Sequence, residues 1–291
     1  MPLLPPERHG RILSLLAREG SVSVQQLADS LDVTRETVRR DLDQLESAGE
    51  LRRIHGGAVA SGSTSRTESS LQERLSRHSA QKQDIAAAAL HHLPPEDGGS
   101  LIIDAGTTTE ALADRIAAAS NPNTTASAQP DAGPLPRTGD LALLTTAVPI
   151  AHKLSSTGAL DVEILGGTIR GITGAAVGQE TVEALSRRRA DVVFLGTNGV
   201  SSEFGLSTPD TAEAAVKGAL IRAARKRVLL ADSSKLGETS LVRFGGLEDL
   251  DVLITDAAPQ PELAEALEAA EVDVVVAGSD QTNTTPGGEA A

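Results

Sequence analysis

The residues whose spacing holds the most chemistry are Asp104, Gly106, Thr107, Thr108 and Thr109, which close an apolar run, Leu101 to Ile103, and open a helical pattern over Glu110 to Ala119. Glycine lets the backbone turn tightly. Three hydroxyls then stand beside the unpaired N–H groups of a helix start, a place suited to a phosphate. An ordinary strand-to-helix turn capped by threonine is the alternative reading. Comparable groups follow four more apolar runs: Thr145-Thr146, Gly166-Gly167-Thr168-Ile169-Arg170, Gly196-Thr197-Asn198-Gly199 and Asp232-Ser233-Ser234-Lys235. Each alone fits a tight turn. Ligands of open α/β sheets bind beyond the carboxyl ends of the strands. Together, then, these small residues, hydroxyls and two cations, Arg170 and Lys235, describe a pocket for a small polyhydroxylated anion.

A second cluster is basic: Arg35, Arg39, Arg40, Arg52 and Arg53 fall within nineteen positions of a chain whose net charge is −14. The charge is unevenly spread, with eight Lys and Arg against nine Asp and Glu in residues 1–60 and 18 against 31 in the remainder. A local basic patch on an acidic protein is compatible with nucleic acid where the total charge is not. A solvated helix face laced by pairs such as Glu36–Arg40 is the alternative for the arginines.

The elements that must position these groups follow from periodicity. Ile12, Leu15 and Leu16 predict a helix over 7–19, stopped at Gly20. Ser23 and Gln26 form a capping box for a second helix ending near Leu31, with Val22 stapled to Leu27. Thr34 caps a third, which buries Val38, Leu42 and Leu45 and ends at Gly49. Two short helices joined by a tight turn make a helix-turn-helix, whose second helix can enter the major groove. Leu51 to Val59 reads as two short strands about Gly56-Gly57, a wing. The expected DNA-binding residues are Ser23, Thr34, Arg35, Glu36, Thr37, Arg39, Arg40, Arg52, Arg53, His55 and Gly56. His55 has no ligand partner at metal spacing, and no metal or cofactor is expected.

Beyond a small polar linker at 61–80, strands and helices alternate to about residue 277. The expected strands are Leu101–Asp104, Leu141–Thr145, Val162–Leu165, Val192–Gly196, Val228–Ala231, Val252–Thr255 and Val272–Ala277. Helices are expected at Gln81–Leu93, from Val148, and at Glu180–Arg189, Thr211–Lys226 and Pro261–Ala269. Near-continuous apolar strands between helices predict a mostly parallel sheet covered on both faces. The fold class is α/β: a winged helix-turn-helix over 1–60, then an α/β domain over 81–277. A disordered insertion is expected at 120–140 and a loose tail at 278–291. Without cysteine there is neither a disulfide framework nor a thiolate metal site. No apolar run approaches the roughly 20 residues of a membrane span, so the expectation is a cytoplasmic protein with no membrane partner.

Thr37-Val38-Arg39-Arg40-Asp41-Leu42 with Arg53-Ile54-His55-Gly56-Gly57-Ala58 resembles the N-terminal signature of DeoR-type bacterial transcriptional regulators. The resemblance continues through Asp104–Thr109, Leu165–Thr168, Phe194–Gly199, Thr208-Pro209-Asp210, Glu213–Lys217 and Ala231–Lys235. It implies a repressor that binds double-stranded operator DNA and a sensor domain, similar to sugar-phosphate isomerases, that binds a phosphorylated sugar effector. The implied ligand set is Asp104, Gly106, Thr107, Thr108, Thr109, Thr146, Gly167, Thr168, Arg170, Asn198, Gly199, Lys217 and Lys235. Repeated half-sites call for repeated reading heads, hence a homo-oligomer, dimer or tetramer. An isomerase carrying a DNA-binding module is the alternative, but isomerisation needs a positioned carboxylate. The resemblance places the isomerases' acids near Thr197-Asn198-Gly199, and Asn198 cannot act as a general base. Asp104, Asp210 and Glu213 could still supply one, but fused to a DNA-binding module the pocket reads as a receptor, and no catalytic residue is assigned.

Overall fold

The computed structural model describes residues 5–19, 21–47, 50–54, 56–60, 71–94, 98–120, 141–158 and 160–278. The chain divides into two compact units, Met1–Glu68 and Ser69–Ala291. In the first, α1 (Pro5–Glu19), β1 (Ser21–Ser23), α2 (Val24–Leu31), α3 (Arg35–Ser47), β2 (Leu51–Ile54) and β3 (Gly57–Ala60) enclose a core of Ile12, Leu16, Leu27, Val38, Leu42 and Leu45. The capping box is present: Gln26 N–H donates to the Ser23 hydroxyl, and Ser23 N–H donates to the Gln26 side chain. α2 stops at Asp32, left-handed at φ 51°, and three residues later α3 begins.

The wing has a third strand that periodicity did not show. β1 pairs antiparallel with β3, and β3 with β2. A Cβ at Gly57 would lie 2.0 Å from the Val22 carbonyl oxygen, so only glycine allows this pairing. Val22, expected to staple onto Leu27, lies in β1 and is buried in the same core cluster as Leu27. The expected stops at Gly20 and Gly49, and His55, lie outside the described residues.

The second unit opens with α4 (Leu71–Ser76) and α5 (Ser79–Ala89), so the second half of the expected 61–80 linker is largely helical; 61–70 lies outside the described residues. There follow β4 (Gly99–Ile103), α6 (Thr107–Ala119), β5 (Leu141–Thr145), α7 (Val148–Ser155), β6 (Asp161–Ile164), β7 (Thr168–Arg170), β8 (Ala175–Val177) and α8 (Gln179–Ser186). The unit continues with β9 (Ala190–Gly196), β10 (Gly199–Ser201), β11 (Gly205–Thr208), α9 (Thr211–Arg222), β12 (Ala224–Leu230), β13 (Val242–Gly245), β14 (Val252–Thr255), α10 (Pro261–Ala269) and β15 (Asp273–Val276). Residues 121–140 and 279–291, expected as insertion and tail, lie outside the described residues.

Seven strands form one parallel sheet in the order β15-β14-β12-β9-β4-β5-β6, with a buried apolar layer on each face. The chain builds outward from β4 through β5 to β6, then returns to β4's other side for β9 and everything after. The strand order therefore reverses between β4 and β9, where α/β sheets open a crevice. The expected helix through Lys226 ends at Arg222. Ala, Arg and Lys favour helix, but Ala224 to Leu230 pair with Ala190 to Gly196, and that ladder prevails. Two smaller sheets, β7-β8 and β10-β11-β13, were also unforeseen.

Candidate functional site

In the N-terminal unit, Arg35, Glu36, Arg39 and Arg40 are exposed on α3, opposite its buried stripe. Thr34 accepts the Thr37 N–H at 3.2 Å and so fixes the helix start. Arg39 and Glu36 stand 3.5 Å apart at the surface, too weak a pair to hold the guanidinium from a phosphate. Arg53 is placed differently. Its N–H donates to Glu46 at 2.7 Å and its guanidinium pairs with Asp43, which ties the wing to α3. Gly56 forms the exposed wing turn, and Ser23 serves the α2 cap. His55 and the Arg52 side chain are outside the described set.

In the C-terminal unit the switch point brings together three of the expected groups, Asp104, Thr146 and Lys217. Asp104, at the end of β4, is 2 % exposed; it accepts the Gly196 N–H at 3.1 Å and pairs with the Lys217 ammonium from α9. That ammonium also donates to the Gly196 carbonyl at 2.8 Å and lies 5.6 Å from the centre of the Phe244 ring. Burial pushes the Asp104 carboxyl up, while Lys217 and the Gly196 N–H pull it back. Beside Asp104, α6 starts at Gly106, which has no side chain to accept the first-turn N–H groups. The Thr109 hydroxyl donates back to the Gly106 carbonyl, and Thr108 is buried.

Asp104, Ala105, Thr146, Ala176, Glu213 and Lys217 line a small pocket. Thr146 is 1 % exposed and its hydroxyl has no hydrogen-bond partner among the described residues. Buried hydroxyls are nearly always satisfied, and Thr255 is the other buried threonine left without a partner among the described residues. Glu213 was left out of the expected ligand set. It accepts the Thr173 hydroxyl at 2.6 Å and Arg170 at 3.2 Å. Asp210 caps α9 through the Ala212 and Glu213 N–H groups and meets Arg170 at 3.3 Å. Asn198 approaches Thr208 at 3.1 Å. The four-residue spacing of Glu213 and Lys217, which puts both on one helix face, was the signal that could have found Glu213.

Of the expected residues, Gly106, Thr107, Thr108, Thr109, Gly167, Thr168, Arg170, Asn198, Gly199 and Lys235 are not among those that line the pocket. Thr168 is exposed on β7. Gly167 serves packing, since a Cβ there would lie 2.1 Å from the Thr181 hydroxyl. Gly199 opens β10, where a Cβ would lie 2.4 Å from the Glu238 carbonyl oxygen. Lys235 ends a short turn after β12 that is capped by Asp232.

The chain matches two family models, the DeoR-like helix-turn-helix domain over residues 8–64 and the DeoR C terminal sensor domain over 121–257. It is 35 % identical to the HTH-type transcriptional regulator GlpR of Haloferax volcanii, over 94 % of this chain and 98 % of that one. It is 32 % identical to the glycerol-3-phosphate regulon repressor of Haemophilus influenzae (87 % and 90 % covered) and 31 % to the lactose phosphotransferase system repressor of Staphylococcus epidermidis (86 % and 91 %). Among solved structures, ribose 5 phosphate isomerase A from Neisseria gonorrhoeae matches at 14 % identity over 53 % of this chain and 52 % of that one; a TM-score of 0.34 gives this likeness no weight. Near-complete alignment with named transcriptional regulators, together with the exposed basic α3 and its wing, shows that the chain is a DNA-binding transcriptional regulator belonging to the DeoR family.

Proposed function

We propose that the chain represses genes of carbohydrate uptake or breakdown, as a cytoplasmic homo-oligomer whose operator affinity is set by a phosphorylated sugar bound at the β4/β9 switch point. The observation that carries this is the unpartnered Thr146 hydroxyl in a cavity shared with Asp104, Glu213 and Lys217, beside a helix start with no capping side chain. The fixed acceptors suit sugar hydroxyls. The Thr107–Thr109 turn suits the phosphate, because in an acidic unit an anion is held only where N–H dipoles locally reverse the field. The names of the Haemophilus and Staphylococcus relatives, which refer to glycerol 3-phosphate and to a lactose phosphotransferase system, support the same ligand class. Next to the site, Arg74 of α4 donates to the Ile172 carbonyl at 3.0 Å, in the turn whose Thr173 holds Glu213.

A thermal-shift panel of phosphorylated sugars tests the proposal. A ligand at 100 times its Kd stabilises the folded state by about 2.7 kcal/mol. Thr108→Asp places a carboxylate where the phosphate would sit and should abolish that shift while operator binding stays measurable. Native sugar-phosphate affinity in this variant, by calorimetry, would place the phosphate elsewhere.

A further inference from the structure

Asp41 lies within the buried stripe of α3, 2 % exposed, in company with Val38, Leu42 and Leu45. Its two oxygens accept Nε of Arg8 at 2.5 Å and Nη2 at 2.7 Å, and Oδ1 also meets Nε2 of His9 at 3.1 Å. Arg8, on α1, is 8 % exposed, so both ions are out of water. Burial pushes the Asp41 carboxyl up, but the hydrogen bonds from Arg8 and His9 outweigh it and hold the group below the usual carboxylate range.

Stability does not account for such a pair. Desolvating two ions costs about what their attraction returns, and apolar replacements of similar volume are often as stable or more so. What a fork-to-fork contact adds is direction, since two parallel N–H···O bonds are made at one orientation only. Apolar contacts at Val38, Leu42 and Leu45 are non-directional and tolerate a roll of the helix. A roll of roughly 20° displaces groups at a radius of about 6 Å by about 2 Å, enough to break a hydrogen bond to a base edge. The groups so displaced are Arg35, Glu36, Arg39 and Arg40.

We propose that the Arg8–Asp41 pair sets the rotation of α3 about its axis and thereby the sequence discrimination of the DNA-binding unit. Arg8 and Asp41 are positioning residues: they act on DNA through the helix they orient. His9 supports the same carboxylate from the next position of α1.

The test uses the full chain, a duplex that the wild type selects from a random library, and poly(dI-dC) as non-specific competitor. The double variant Arg8→Met/Asp41→Leu should melt at or above the wild-type temperature and bind poly(dI-dC) within twofold of wild type with an unchanged salt slope. It should bind the selected duplex at least tenfold more weakly. Arg8→Lys keeps the charge but loses the fork, and should lose three- to tenfold on the selected duplex alone. Should the double variant fail to fold, Arg8→Lys decides. A folded variant whose specific-to-non-specific ratio stays within twofold of wild type overturns the proposal, as does an equal fall in both affinities.

Discussion

Replacing Thr146 by valine should move stability and ligand affinity in opposite directions. Valine matches the shape of threonine and removes only the hydroxyl, which is buried and without a partner among the described residues. Leaving such a group unsatisfied costs about 1–3 kcal/mol, so the variant should be more stable by about 1–2 kcal/mol when no ligand is bound. For a unit of this size each kcal/mol raises Tm by roughly 2–4 °C, and the shift is measurable by calorimetry. The effector then loses one hydrogen bond, about 0.5–1.5 kcal/mol, or roughly two- to twelvefold in Kd by titration calorimetry. A Thr146→Val protein that is less stable than wild type, or that binds the sugar phosphate with native affinity, would show that the hydroxyl serves the fold and not the ligand.

Arg39→Ala should weaken operator binding and lower the slope of log affinity against log salt by about one, as for a phosphate contact. Arg53→Ala should weaken it with the slope unchanged, because that guanidinium pairs with Asp43; a slope change equal to that of Arg39→Ala would show that it turns to phosphate instead. Lys82 of α5 is 5 % exposed and donates to the Arg77 carbonyl at 2.7 Å, and burial lowers it from 10.5 to about 8. Between those values the unfolded chain binds the extra proton, so stability rises with pH through this window and the full penalty stands below about pH 8. Urea unfolding of the wild type relative to Lys82→Met should therefore improve by up to about 3 kcal/mol from pH 7 to pH 10. A difference that does not change with pH would refute the shift.

What was legible in the sequence was local. The capping box of Ser23 and Gln26 and the Thr34 cap involve residues three apart, and the apolar strands Leu141–Thr145 and Val252–Thr255 carry their own boundaries. What was hidden depends on distant partners. β1 is a strand only because β3 passes beside it, and β12 begins at Ala224 only because Ala190 stands opposite. Asp41 entered the sequence reading only as part of the Thr37–Leu42 motif, since its partner Arg8 stands thirty-three positions away. The turn at Gly106 and the helix after it were legible because a helix start is a local motif. Glu213 was not placed in the site because the cavity joins α9 to the ends of β4 and β5.

Both acids of the cavity are held by fixed partners, Asp104 by Lys217 and the Gly196 N–H, Glu213 by Thr173 and Arg170. Carboxylates so restrained present oriented acceptors, which is what discrimination among hydroxyl positions requires. The same restraint bounds regulation. Switching a two-state regulator from 1:99 to 99:1 takes a differential affinity of about 5.5 kcal/mol. The Arg74 bond to Ile172 alone supplies at most about 3 kcal/mol, the upper figure for a charged hydrogen bond. The turn at 170–174 also holds Arg170 against Asp210 and Glu213, and Thr173 against Glu213. Only if these contacts change together with the Arg74 bond does the sum reach what a full switch demands. An effector engaging Glu213 is placed to exchange several of them at once, whereas one held by the Thr107–Thr109 turn alone is not. Phosphate would then supply affinity, and the hydroxyls that reach Glu213 would supply the response.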